Sequence, residues 1–142
     1  MCIPKTIVQK VIFKNAKTKD VYDLYMNEKK HSRTTGAPAK ISAKEGKRYS
    51  VHGGYITGTN LHLVKDTLIV QSWRAQDWKS SDPDSTFIIS LQQQGKNVLL
   101  KAIHTNIPDN QAKGIDKGWY TYYWEPWKKF LAGKPILKSP AM

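Results

Sequence analysis

Four histidines, one cysteine and eleven acidic side chains are the groups in this 142-residue chain that could move protons, hold a metal or act as nucleophiles. His31, His52, His62 and His104 sit in different segments. None has the HxxxH or HExxH spacing that puts two imidazoles on one helix face. With no cysteine cluster beside them, neither a metal site nor a cofactor is expected. Cys2 follows the start methionine and is too terminal to make a convincing nucleophile. Asp82 and Asp84 flank Pro83 in a turn-forming segment, and Asp109 and Asp116 read as helix-start residues suited to the helix dipole. There is no GxSxG elbow and no glycine-rich phosphate loop. Local motifs give catalysis no support, although an acid–base site in an open cavity needs none. The expectation is a non-catalytic chain.

The pronounced chemistry is aromatic. Gly114–Leu131, GIDKGWYTYYWEPWKKFL, holds three of the five tryptophans and three of the seven tyrosines. At about 100° per residue, Ile115, Trp119, Tyr122, Tyr123, Pro126, Trp127 and Phe130 share one helical face. Lys117, Thr121, Glu125, Lys128 and Lys129 share the other. A face of that size must bury against something large, and a sheet is the expected partner. Pro126 lacks the N–H that would bond the Tyr122 carbonyl, so the spacing predicts a kink just before it.

The elements that would position this helix follow from the rest of the chain. Lys5–Phe13 is rich in β-branched residues and predicts a first strand near a sheet edge. Thr18 is the expected N-cap of a helix running to about Asn27, with Val21, Tyr22, Leu24, Tyr25 and Met26 on its apolar side. A short polar helix or turn, Glu28–Thr35, ends at Gly36. Six strands are then expected, Ala39–Ala43, Lys47–His52, Tyr55–Val64, Leu68–Arg74, Ser85–Gln93 and Val98–Thr105, joined by short turns. Gly58, inside one of them, signals a bulge or a close backbone approach. Trp78 stands alone in the polar loop Ala75–Asp84 and reads as a plug packing that loop onto the body. Gly133 ends the long helix, and Lys134–Met142 reads as a loose tail. Runs of strands followed by one helix predict an α+β domain with an antiparallel sheet, one domain over 1–142.

Composition sets the surroundings. A single cysteine allows no intramolecular disulfide, and no segment is long and apolar enough to suggest a signal peptide or a membrane span. A cytoplasmic protein is expected. The net charge is +12, weighted toward residues 1–50. Nearly all cations are lysines, only Arg33, Arg48 and Arg74 offer planar forks, and no nucleic-acid motif is present. The charge therefore reads as a solvated basic face suited to an acidic protein surface rather than to nucleic acid.

Several short motifs, in order, resemble the family of activators of heat shock protein 90 ATPase, specifically its C-terminal domain. They are Thr35-Gly36-Ala37-Pro38-Ala39, Glu45-Gly46 before the Tyr49 strand, Gly53, Gly58, Ile69-Val70 with Trp73-Arg74, Trp78, Ile107-Pro108, and Gly118-Trp119 with Tyr122-Tyr123 and Pro126. The resemblance runs over roughly residues 10–132. It implies the helix-grip fold shared with the steroidogenic-acute-regulatory lipid-transfer domains and the birch pollen allergens, a curved sheet of about six to seven strands wrapped around a long C-terminal helix. It also implies an apolar cavity between sheet and helix, with Tyr25, Tyr49, Trp73, Phe87, Trp119, Tyr123 and Trp127 as its lining. In the full-length co-chaperone a separate N-terminal domain carries much of the chaperone binding. Two functions stay open on this reading. One is a module binding a hydrophobic small molecule; the other is a co-chaperone-like module meeting a heat shock protein 90-type chaperone. A cavity-based enzyme is a third, carried only by the superfamily's versatility.

Overall fold

The computed structural model describes residues 3–134, so Cys2 and most of the expected tail lie outside the described residues. Six antiparallel strands form one sheet in the order β1-β6-β5-β4-β3-β2. They are β1 Lys5–Phe13, β2 Arg48–Val51, β3 Ile56–Val64, β4 Leu68–Ala75, β5 Ser85–Gln94 and β6 Asn97–Ile107. The alternating side chains explain the sheet. Phe87, Ile89 and Leu91 of β5, Val98, Leu100 and Ala102 of β6, and Ile7, Val11 and Phe13 of β1 all point into the core. Of the expected strands, only Ala39–Ala43 does not form. Lys40 makes one isolated bridge with Ser50, and the Ile41 N–H donates instead to Glu28 Oε1 at 2.8 Å, which ends the ladder.

Two helices, α1 Thr18–Met26 and α2 Glu28–Thr35, connect β1 to β2. Lys17, not Thr18, occupies the N-cap of α1, while Thr18 lies in its first turn and donates its N–H to Gln93 Oε1. Asn27 caps α2, its side chain accepting from the Lys30 N–H. Trp78 is buried against Trp73, as a loop plug should be.

The C-terminal helix starts earlier than the aromatic run. It comprises α3 Asp109–Trp119, a π-helical segment Tyr120–Trp124, and α4 Glu125–Leu131. Asp109 sits in its first turn, but Asp116 lies in the middle of α3 and takes two hydrogen bonds from the Gln9 amide, at its carboxylate and its carbonyl. Directly before Pro126, where a kink is expected, the helix instead changes register: the Glu125 N–H reaches the Tyr120 carbonyl, five residues back. One extra residue in a turn rotates the C-terminal part of the helix by about 100° relative to an ideal α-helix. That rotation brings Trp124 inward, fully buried, and leaves Tyr122 45% exposed, the reverse of their places on an ideal helix. Among the described residues no helix is long and apolar enough to cross a membrane.

Candidate functional site

Under the helix, most of the interior is filled with packed rings. Trp119 stacks on Phe87 with centroids 4.0 Å apart and planes within 5°. Tyr25 sits among Phe87, Tyr123 and Trp127, each between 5.7 and 6.2 Å away. Such offset and edge contacts are how aromatic side chains fill a core. Tyr49 lies across Gly58 and donates its hydroxyl to the Ser72 carbonyl at 2.6 Å. Tyr25, Tyr49, Phe87 and Trp127 are thus core side chains.

An open cleft of about 510 Å³ lies at one end of the helix–sheet seam. Trp73, Trp119 and Tyr123 line it, three of the seven side chains named from the sequence. The sheet side adds His52, Tyr55 and Ile56, and the helix side adds Gln111, Gly114, Ile115, Gly118 and Tyr122. Gly114 and Gly118 stand one turn apart on the helical wall. A Cβ at Gly114 would meet no heavy atom within 4 Å, and one at Gly118 only the Tyr122 ring edge at 3.8 Å. Both glycines line the cleft, and a side chain at either would have open space to enter.

Polar chains pin the floor and mouth. The Trp119 indole N–H donates to His104 Nδ1 at 3.1 Å, so the other imidazole nitrogen carries the proton. His104 Nε2–H then donates to Ser85 Oγ, whose hydroxyl donates to the Trp73 carbonyl. At the mouth, Tyr123 Oη is 2.9 Å from Nε2 of both His31 and His52. The Tyr25 hydroxyl donates to Gln71, whose amide donates to Asn60. His62 lies apart, paired with Glu45 on the surface.

Burial pushes the His31 imidazole down to about 4 and that of His104 down to about 3. Both sit below the unfolded value of about 6.5, so the folded state holds them neutral while the unfolded chain takes up protons. Their contribution is intact above pH 6.5 and is lost as pH falls toward 4. Urea unfolding at pH 7, 6 and 5 should therefore show stability falling, below pH 6.5, by up to about 1.4 kcal/mol per pH unit for each histidine. A flat profile from pH 7 to 5 would contradict this assignment.

The sequence reading missed Trp124, Gln9 and the histidines His31, His52 and His104 as site-building residues. Trp124 donates to Gln9 Oε1 at 2.6 Å, tying the helix to β1. One signal was available: a Gln in the middle of a β-branched strand demands a buried partner.

An antiparallel sheet gripping a C-terminal helix, with an aromatic cleft at one end of the seam, places this protein in the helix-grip class. The chain belongs to the family described as activator of Hsp90 ATPase homolog 1-like protein, whose model matches residues 15–132. It is 28% identical over 136 residues to an activator of 90 kDa heat shock protein ATPase homolog from Dictyostelium discoideum, covering 82% of this chain and 35% of the relative. It is 24% identical over 106 residues to the human activator of 90 kDa heat shock protein ATPase homolog 1, covering 75% and 31%. The chain thus spans about a third of the length of these curated relatives. Among solved structures, an HSP90 activator from Plasmodium falciparum superposes with a TM-score of 0.82 at 20% identity, covering 92% and 97% of the two chains. CalU16 from Micromonospora echinospora superposes at 0.76 with 18% identity, covering 91% and 77%. At these identities the structural likeness speaks to fold alone.

Proposed function

We propose that this domain is a non-catalytic binding module that takes a hydrophobic small molecule in the cleft between α3 and the β3–β4 end of the sheet. The pair Gly114 and Gly118 carries the reading. Glycine in a helix interior costs about 0.8–1 kcal/mol relative to alanine, and neither site has a neighbour that forbids a side chain. Two such residues one turn apart make sense as the wall of a space kept open. Volume and lining agree: about 510 Å³ falls in the range of small-molecule sites, with aromatic walls and few polar atoms.

The test is a thermal-shift and native mass-spectrometry screen against lipids and aromatic compounds, repeated on two variants. Gly114→Ala/Gly118→Ala should raise stability by about 1 kcal/mol per site. Gly118→Leu should keep the domain folded and abolish ligand-induced shifts by filling the cleft. No shift with any compound, or undiminished binding by Gly118→Leu, would overturn the proposal.

A second reading follows from the relatives' names and from one feature of the outer sheet face. Lys10 and Lys101 stand directly opposite each other in the β1–β6 register, both exposed and without an ion pair among the described residues. Like charges in that position destabilise a sheet, and an acidic partner surface would relieve them. On this reading the basic face, with the net charge of +12, meets a heat shock protein 90-type chaperone in the cytoplasm. Pull-down and ATPase assays should then show association strongest at low salt, and no binding there would count against it.

A further inference from the structure

We infer that the ligand of the cleft carries a hydroxyl or N–H group on an otherwise apolar frame, and that it donates this hydrogen to Nδ1 of His52. The inference rests on the binding reading above and specifies what that site recognises.

The order of protons is set in the core. His31 Nδ1 lies 2.8 Å from the Tyr25 carbonyl oxygen. A carbonyl only accepts, so this nitrogen must carry the proton. A neutral His31 therefore presents a bare Nε2, and burial keeps it neutral. The neighbour of that bare nitrogen, 2.9 Å away, is the Tyr123 hydroxyl. Tyr123 has one proton to give, and it goes to His31. The same oxygen lies 2.9 Å from His52 Nε2, where it can now only accept. His52 Nε2 must then hold the proton, which leaves Nδ1 as a lone pair. Two buried hydrogen bonds thus fix the tautomer of a histidine at the surface of the cleft.

Among the described residues that lone pair is unused: no hydrogen bond to His52 Nδ1 is formed there, whereas Nε2 is taken by Tyr123. The ring lines the cleft and is held by edge contacts with Tyr122 and Tyr123 at 5.7 Å. Burial shifts the imidazole below its ordinary range, so at neutral pH the nitrogen is free to accept.

The backbone is also committed to this placement. His52 has φ 54°, and Gly53 and Gly54 follow at 66° and 94°. Three consecutive residues in the left-handed region form a single tight turn, anchored by the Gly53 N–H on the Pro38 carbonyl at 2.9 Å. Positive φ at a non-glycine residue is a local cost, although histidine tolerates it better than most side chains. Here it aims the imidazole at Tyr123 and the cleft together.

The chemistry selects the ligand. The remaining walls offer mostly aromatic and aliphatic surface to an apolar frame, with Gln111 a second polar side chain on the helix side. The His52 nitrogen adds one directional acceptor, which a hydrocarbon or an ether cannot satisfy and a phenol, alcohol or amide N–H can.

Two measurements on the full chain test this. Long-range 1H–15N spectra of the imidazoles should show His52 protonated at Nε2 and bare at Nδ1, with His31 the reverse. The opposite tautomer at His52 would overturn the inference before any ligand is added. The second is a matched probe pair, 2-naphthol and 2-methoxynaphthalene, titrated by calorimetry. The naphthol should bind about three- to tenfold more tightly, the worth of one net hydrogen bond. His52→Asn, which tolerates the left-handed backbone and shortens the side chain, should erase that preference. Tyr123→Phe, which keeps the ring but releases the tautomer, should reduce it. Equal binding of both probes by the wild type overturns the donor requirement and leaves the cleft reading standing. If neither probe binds, the inference falls; if the wider lipid and aromatic screen is also blank, the binding reading falls with it.

Discussion

Replacing Gly58 with alanine is expected to cost at least about 4 kcal/mol, a large share of the stability of a domain this size. A Cβ on Gly58 would fall on the Ser72 carbonyl oxygen of the neighbouring strand, and its next neighbours are the ring and hydroxyl of Tyr49 at 2.7 Å. The Tyr49 ring could turn aside at moderate cost, but the Ser72 carbonyl is backbone. Moving it would part β3 from β4 in the stretch where Thr57 pairs with Arg74 and Asn60 with Gln71. The Tyr49 hydrogen bond to that carbonyl would go as well. The double variant Tyr49→Ala/Gly58→Ala should therefore recover nothing. Urea unfolding, or loss of soluble folded protein, reads the effect. A Gly58→Ala domain within about 1 kcal/mol of wild type would mean that the strands do not approach as described. The same substitution at Gly114 or Gly118 should stabilise, so the three glycines test two different reasons for having no side chain.

Gly58 was legible in the sequence because its signal is local: a glycine inside a strand pattern has few explanations. The same holds for the alternation of Phe87, Ile89 and Leu91, and for Trp78 as a plug. The short strand expected at Ala39–Ala43 failed for a nonlocal reason, the capture of the Ile41 N–H by Glu28. The site was legible only as a list of aromatic residues. Trp73, Trp119 and Tyr123 reach the cleft, but nothing in periodicity could separate them from Tyr25, Phe87 and Trp127, which fill the core. What separates them is the glycine pair that shares the cleft with them and the polar chains behind. Those chains join residues far apart in sequence: His31 and Tyr123 are separated by 92 positions, Gln9 and Trp124 by 115. A histidine read alone carries no mark of which nitrogen its fold will protonate.

The π-helical register makes the second large prediction. On an uninterrupted α-helix, Tyr122 shares the apolar face with Trp119 and Tyr123, and Trp124 points to solvent. With the extra residue accommodated at Tyr120–Trp124, Trp124 turns inward between Trp119 and Trp127, with centroids at 5.7 and 5.1 Å. Its indole N–H meets Gln9, whose amide in turn meets Asp116, so one ring ties α3, the π segment and β1 together. Trp124→Ala should cost about 3–5 kcal/mol from the lost packing and the cavity left behind. Trp124→Phe should cost about 1–3 kcal/mol, because the ring is largely kept and the Gln9 oxygen is left without its donor. Tyr122→Ala, at a half-exposed position on the cleft rim, should stay under about 1 kcal/mol. The order is what matters: a helix in unbroken α register predicts the opposite, a costly Tyr122 and a cheap Trp124. Pro126 is the reason to expect the π register, since an α-helix reaching it must already leave the Tyr122 carbonyl without its usual donor. Placing the irregularity in that turn confines the disruption to one place and turns three tryptophans and a tyrosine onto the same side. Restoring the donor with Pro126→Ala should weaken the preference for the π register, seen as a smaller gap between the Trp124→Ala and Tyr122→Ala costs in that background. An unchanged gap would show that the packing of Trp124, rather than the proline, holds the register.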